Sequence, residues 1–158
     1  MKNKTILVVD DAVVNLDILG TLLVDYDVIG ACSGEDVFSL IKEEEKIDII
    51  LLDIIMPDID GYEVCKKLKA NNRTKDIPVI FITAKTDEES VEKAYEVGGV
   101  DYITKPFRAR EVLARVKSHL TLHEKEDSLK QRVKDEVEKN LAQEKNLFNN
   151  QKLRLWVR

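Results

Sequence analysis

Five residues of this chain could do chemistry together if folding brought them to one place: Asp10, Asp11, Asp53, Thr83 and Lys105. Asp10-Asp11 follows the apolar run Ile6–Val9, and Asp53 follows Ile49–Leu52. Thr83 follows Val79–Ile82, and Lys105 comes shortly after Val100–Ile103. Three clustered carboxylates repel one another unless a cation sits among them, and hard oxygen ligands with room for water suit Mg2+. A metal and a lysine together would neutralise a phosphoryl group arriving at a carboxylate oxygen, with the Thr83 hydroxyl bonding one phosphoryl oxygen. No His, Ser or Cys nucleophile stands at these positions, and no glycine-rich phosphate loop is present. Singly, each residue has an ordinary reading: an Asp closing a strand caps a turn, Thr83 is an N-cap, and Lys105 is a surface lysine. The specificity lies in the joint pattern.

That pattern requires elements that deliver all five residues to one edge. The runs Ile6–Val9, Val28–Ala31, Ile49–Leu52, Val79–Ile82 and Val100–Ile103 are too short for buried helices and suit strands covered on both faces. Between them lie helical spacings: Val14, Ile18, Leu19 and Leu22; Val37, Leu40 and Ile41; Tyr62, Cys65 and Leu68; Val91, Ala94, Tyr95 and Val97; Val112, Leu113 and Val116. Ser33 and Asp87 suit N-caps, and Gly98-Gly99 suits a helix stop. Five strands alternating with five helices predict a doubly wound α/β fold with a five-stranded parallel sheet, extending over residues 1–122. In such a sheet, ligands bind beyond the carboxyl ends of the strands, where the five residues stand.

Residues 123–158 read differently. No Gly or Pro occurs from Phe107 to Arg158. Leu122, Leu129, Val133, Val137, Leu141, Phe148 and Leu155 form a heptad-like stripe whose phase breaks around Val133–Leu141. Opposite charges four apart, such as Glu126/Lys130 and Lys134/Glu138, suit an exposed helical face. The expectation is a C-terminal helical, coiled-coil extension pairing with a second copy of the chain; the alternative is a solvated helical tail. Trp156 is either a coiled-coil anchor or the remnant of a further interface. His119 and His123 read as plain helix-surface residues.

The chain has 158 residues, 44% of them apolar and 35% charged, with a net charge of −5. That average conceals a division. Residues 1–106 carry 12 basic and 22 acidic residues, a net of −10, and residues 107–158 carry 13 and 8, a net of +5. The basic residues of the tail are interspersed with acids, without the dense basic cluster and interleaved aromatics expected of a nucleic-acid patch. Too few residues follow Leu122 for a helix-turn-helix module, so nucleic acid is not an expected partner. No apolar run approaches a secretory signal or a membrane span, and no membrane partner is expected. Cys32 and Cys65 stand alone and read as reduced thiols of a cytoplasmic protein.

Val8-Val9-Asp10-Asp11, the stretch Asp53-Ile-Ile-Met56-Pro57-Asp-Ile-Asp60-Gly61-Tyr-Glu63, Ile82-Thr83-Ala84 and Asp101-Tyr102-Ile-Thr-Lys105-Pro106-Phe107 together resemble the receiver domain of bacterial two-component response regulators. The resemblance covers roughly Lys4–Leu122, with each motif in order. It implies the flavodoxin-like receiver fold, with Asp53 as the phosphoacceptor and a histidine kinase as the donor. It also implies Mg2+ bound by Asp11, Asp53 and the backbone carbonyl of Ile55, with Asp10 acting through water. Lys105 would pair with the phosphoryl group, Thr83 would shift toward it, and Tyr102 would be the aromatic switch residue. The Lys105–Pro106 bond is similar to one that is cis in the family. The resemblance implies a protein that catalyses only its own aspartyl phosphorylation and dephosphorylation, signalling through the face of the fourth helix, fifth strand and fifth helix.

Two other functional classes fit parts of the pattern. A Mg2+-dependent phosphohydrolase also uses an aspartyl nucleophile at a strand end, but the usual second Asp two positions on is Ala12 after Asp10 and Ile55 after Asp53. A coiled-coil adaptor that no longer signals would not need the five site residues intact. The tail also resembles linkers that join receivers to histidine kinase or other catalytic domains, so a receiver belonging to a larger hybrid or output protein is the alternative to a stand-alone regulator.

Overall fold

The five apolar runs pair as parallel strands. They are β1 (Thr5–Val9), β2 (Asp27–Ala31), β3 (Ile49–Asp53), β4 (Val79–Thr83) and β5 (Asp101–Thr104), in the spatial order β2-β1-β3-β4-β5. The computed structural model describes residues 3–43, 46–84 and 86–157, with residues 153–157 in backbone only. The side chains of Leu155 and Trp156, assigned above to the tail's stripe and its end, therefore lie outside the described residues.

Helices α1 (Val13–Leu22), α2 (Gly34–Glu43), α3 (Gly61–Ala70), α4 (Glu88–Glu96) and α5 (Ala109–Val157) follow the five strands in turn. Alternate strand residues point to opposite faces, and the core divides accordingly. Ile6, Val8, Ile49, Leu51, Ile80 and Ile82 pack with Leu19 and Leu23 and with Val112 and Val116, so α1 and α5 cover one face. Leu7, Val9, Ile50, Leu52, Val79 and Phe81 pack with Val37, Val64, Cys65, Leu68 and Ala94, so α2, α3 and α4 cover the other. This is the expected doubly wound parallel sheet.

Three details differ from the sequence reading. First, β5 starts one residue later than expected, at Asp101. Second, only β1, β3 and β4 are buried along almost their whole length, because β2 and β5 are the edges of the sheet and the helices cannot cover an edge completely. Third, the α1 stripe is half as expected: Leu19 and Leu22 face the core, but Val14 and Ile18 do not. Val14 is 63% and Ile18 43% exposed, while Leu19 is buried and Leu16 and Leu22 pack against the core. The helix is apolar on most of its circumference, so its spacing fits two stripes equally well, and contact with the sheet selects the one through Leu16, Leu19 and Leu23.

Local signals set the boundaries elsewhere. Asp60 caps α3 by accepting from the Glu63 N–H at 2.9 Å, and Asp87 caps α4 by accepting from Ser90 at 3.1 Å. Ser33 Oγ accepts from the Asp36 N–H at 3.2 Å at the start of α2. Gly98, at φ +106°, takes the left-handed conformation just past α4. No helix among the described residues is long and apolar enough to cross a membrane.

The chain forms two units by its internal contacts, Met1–Leu120 and Thr121–Arg158. The second is helical throughout its described residues, and Leu122, Leu129, Val133, Val137, Leu141, Leu147 and Phe148 are all exposed on it.

Candidate functional site

Register determines what meets at the sheet's carboxyl edge. Val9 lies beside Leu52, and Asp53 lies beside Ile82. Asp10 and Asp11 therefore emerge next to Asp53 at adjacent strand ends. Carboxylate oxygens of Asp10, Asp11 and Asp53 lie within 4.8 Å of one another. Asp10 and Asp53 are buried and Asp11 is exposed, so the cluster is open to water on one side.

Lys105 reaches back into this cluster from the loop after β5. Thr83 and Thr104 are register partners, and the Lys105 N–H donates to the Thr83 carbonyl at 3.0 Å. The Lys105–Pro106 peptide is cis. From there the Lys105 ammonium sits 3.1 Å from Asp10 Oδ2 and 3.1 Å from Asp53 Oδ2. One cation thus bridges two buried carboxylates. Burial pushes the Asp53 carboxyl above its ordinary range; the bond and charge of Lys105 oppose this, while the charge of Asp10 adds to it. Burial pulls Lys105 down, but its bonds to Asp10 and Asp53 and their charges win, leaving the ammonium above its ordinary range.

Asp10 is further fixed by two donors: the Ala12 N–H reaches Oδ1 at 2.9 Å, and Asn15 Nδ2 reaches Oδ2 at 3.1 Å. Asn15 was missed in the sequence reading. Its position in the first turn of α1, five residues after Asp10, was the available signal. Gly61 is required where α3 begins, because a Cβ there would collide with the Asp53 carbonyl oxygen. Its N–H donates to the Ile54 carbonyl at 2.7 Å, folding residues 54–60 back over the end of β3.

The structure brings Asp10, Asp11, Asp53 and Lys105 together and places Thr83 at the end of the neighbouring strand, buried. Ile55 stands in the loop next to Asp53, with its side chain exposed and its N–H among the groups lowering the Asp53 carboxyl. Tyr102 lies on β5, beside Phe81 of β4. Its half-buried ring packs edge-on against Tyr95, with centroids 6.4 Å apart, and the Arg115 guanidinium lies 6.0 Å from its centroid.

His119 corrects the reading of a plain helix-surface residue. Its Nε2 lies 2.9 Å from Asp101 Oδ2, and the same carboxylate takes both its oxygens to Arg115 Nη1, at 2.7 and 2.8 Å. Burial raises the Asp101 carboxyl, but the bonds from His119 and Arg115 outweigh it, and the group sits below the ordinary carboxylate range. No spacing rule links Asp101 to residues 14 and 18 positions later; only the packing of α5 beside β5 does. His123, by contrast, is as expected a helix residue, 3.5 Å from Asp127 on the same face.

Chemically, the cluster offers three carboxylates able to hold a hard cation, one ammonium, and a hydroxyl-bearing residue at an adjacent strand end. The donor set fits Mg2+, which prefers a few carboxylates with the remaining positions left to water or phosphate.

Residues 6–117 match the family described as "Response regulator receiver domain". The transcriptional regulatory protein SpaR of Bacillus subtilis is 44% identical over 108 residues, covering 68% of this chain and 48% of that protein. A probable cyclic di-GMP phosphodiesterase of Vibrio cholerae is 39% identical over 125 residues, covering 79% of this chain and 28% of that protein. This chain therefore spans about half the length of these curated relatives, or less. The crystal structure of a putative response regulator from Chloroflexus aurantiacus superposes with a TM-score of 0.72 at 34% identity, over 76% of this chain and 99% of that one.

Proposed function

The chain belongs to the response regulator receiver family of two-component systems, and from that premise we propose that Asp53 accepts a phosphoryl group from a histidine kinase. The observation that carries the proposal is the bridge of Lys105 between Asp10 and Asp53 beside Asp11, at the carboxyl ends of adjacent parallel strands. In the transfer, an Asp53 carboxylate oxygen forms a bond to phosphorus. The P–N bond of the donor phosphohistidine breaks, and the imidazole leaves with its electron pair.

The residues then have definite roles. Asp11 and Asp53 and the Ile55 carbonyl would hold Mg2+, with Asp10 acting through water; the ion supplies charge neutralisation to the phosphoryl oxygens. Lys105 exchanges its partners, from two carboxylates to a phosphoryl oxygen. Thr83 donates its hydroxyl to another oxygen, and Tyr102 turns inward behind it. That shift biases the surface made by α4, β5 and the first turns of α5 between two states. Beyond its own phosphorylation and dephosphorylation, the receiver catalyses nothing.

We propose that residues 123–158 are the output extension of a receiver formed by residues 1–122, and that the exposed apolar stripe of α5 there pairs with a second copy of the chain. A second reading is supported by the phosphodiesterase relative, whose similarity covers 125 residues, more than the 6–117 of the family match: this receiver and helix form part of a larger output or hybrid protein. Either form would work in the cytoplasm, where free thiols such as Cys32 and Cys65 persist. Incubation with a small-molecule phosphodonor tests the proposal. One phosphoryl mass should appear with Mg2+ and none with a chelator; an unmodified mass under conditions that phosphorylate other receivers would overturn it.

A further inference from the structure

The loop between β3 and α3, residues 54–60, carries Ile55, whose carbonyl the proposed function places on the cation. Its two ends are fixed locally. The Ile54 carbonyl takes the Gly61 N–H at 2.7 Å, and Asp60 caps α3 through the Glu63 N–H at 2.9 Å. The middle of the loop is held from elsewhere. Asp58 Oδ1 accepts from the Gly34 N–H at 3.3 Å and Oδ2 from the Glu35 N–H at 3.0 Å, both at the N-terminus of α2 and more than twenty residues away in sequence. Beside this bond pair, Ile59 lies so close to Gly34 that a Cβ at position 34 would collide with it.

This clasp is separate from the cap that α2 already has. Ser33 Oγ accepts from the Asp36 N–H, whereas the carboxylate of Asp58, from a different element, accepts from the two preceding donors, the Gly34 and Glu35 N–H groups. A carboxylate at a helix N-terminus is favoured by the helix dipole as well as by the bonds. The backbone N–H of Ile59 and those of Glu35 and Gly34 hold the Asp58 carboxyl below its ordinary range, so it remains an anionic acceptor through the neutral range. The side chain is exposed, and its bonds contribute direction more than stability.

We propose that Asp58 is a positioning residue. By clasping the N-terminus of α2 across the sheet's edge, it fixes the loop that presents the Ile55 carbonyl to the cation bound at Asp11 and Asp53. The proposal rests on the Mg2+ reading above. By linkage, a loop that binds the cation best when clasped must be clasped more firmly when the cation is bound, so the Gly34 and Glu35 amides report on the distant site.

An amide-resolved NMR titration of the full chain with MgCl2 tests this. In the wild type, perturbations should extend from residues 10–12 and 53–60 to the amides of Gly34 and Glu35. Asp58→Ala should weaken Mg2+ binding about tenfold, the low end of what loss of outer support costs a metal site. Asp58→Asn, which keeps one acceptor oxygen, should weaken it about threefold, and it carries the same decision if the alanine variant does not fold. Ser33→Ala removes the α2 cap without touching the loop and should stay within about twofold of the wild type. Wild-type-like binding by the Asp58 variants would overturn the proposal, as would an equal loss in Ser33→Ala, which would mean that loosening α2 alone is enough. Absence of Mg2+ binding by the wild type would overturn the functional reading itself.

Discussion

Replacing Lys105 by alanine isolates the electrostatics on which the site depends. The ammonium lies 3.1 Å from one oxygen each of Asp10 and Asp53. At that separation each pair is worth about 1.3 kcal/mol in bulk water and about 5 kcal/mol at an effective dielectric near 20. The Lys105 side chain is 25% exposed, and desolvation of all three groups offsets much of the attraction. A net loss of about 2–3 kcal/mol follows, below the 3–5 kcal/mol typical of breaking a fully buried pair. For a unit ending at Leu120, an unfolding entropy of about 2.1 cal/mol/K per residue converts this to a fall in Tm of about 10 °C without metal. Mg2+ would sit among the same carboxylates, so its stabilising effect should be larger in Lys105→Ala than in the wild type, where the ammonium already neutralises part of the charge. At a hundredfold excess over its Kd the ion contributes about 2.7 kcal/mol, enough to recover most of the loss. Thermal melts of both proteins with and without Mg2+ give the four numbers needed. An unchanged metal-free Tm, or equal Mg2+ increments in the two proteins, would refute the bridging role of Lys105.

Other perturbations probe separate parts of the account. Arg115→Ala should cost about 0.5–1 kcal/mol at pH 7, a modest figure because the Arg115 side chain is 38% exposed. Since Asp101 is depressed in the folded state, that contribution is fully present above its unfolded value of about 3.9 and is lost as pH falls through the lower folded value. Denaturation curves of the two proteins should therefore converge below about pH 4. Gly61→Ala should destabilise by about 2–3 kcal/mol and slow phosphorylation, because the new methyl displaces the backbone of Asp53 and Ile54; a melt and a phosphodonor assay read both effects. Leu129→Asp combined with Val133→Asp should convert a dimer to a monomer in sedimentation while leaving the melting of residues 1–120 unchanged.

The fold was legible because β1, β3 and β4 carry short, continuous apolar runs each ended by a polar residue, and because caps such as Asp60 and Asp87 mark where helices begin. The clustering of Asp10, Asp11, Asp53 and Lys105 was legible for the same reason: each ends or follows a strand, and parallel strands place such residues on one edge. Other features were not legible from spacing. Half of the α1 stripe, Val14 and Ile18, was misplaced because Val13, Val14, Leu16, Ile18 and Leu19 put apolar residues on nearly every side of the helix. The bonds of Asp101 to Arg115 and His119, and those of Asp58 to α2, join segments whose proximity arises only from packing. The partial exposure of β2 and β5 followed from strand order, which a set of five runs does not by itself specify.

The central claim is that Asp53 carries the phosphoryl group, and reduction with borohydride tests it most directly because it converts an aspartyl phosphate into homoserine. After treatment with a phosphodonor and Mg2+, peptide mapping should find homoserine at position 53 and nowhere else, with none when Mg2+ is chelated. Homoserine at Asp10 or Asp11, or a phosphoryl group persisting in Asp53→Asn, would contradict the account.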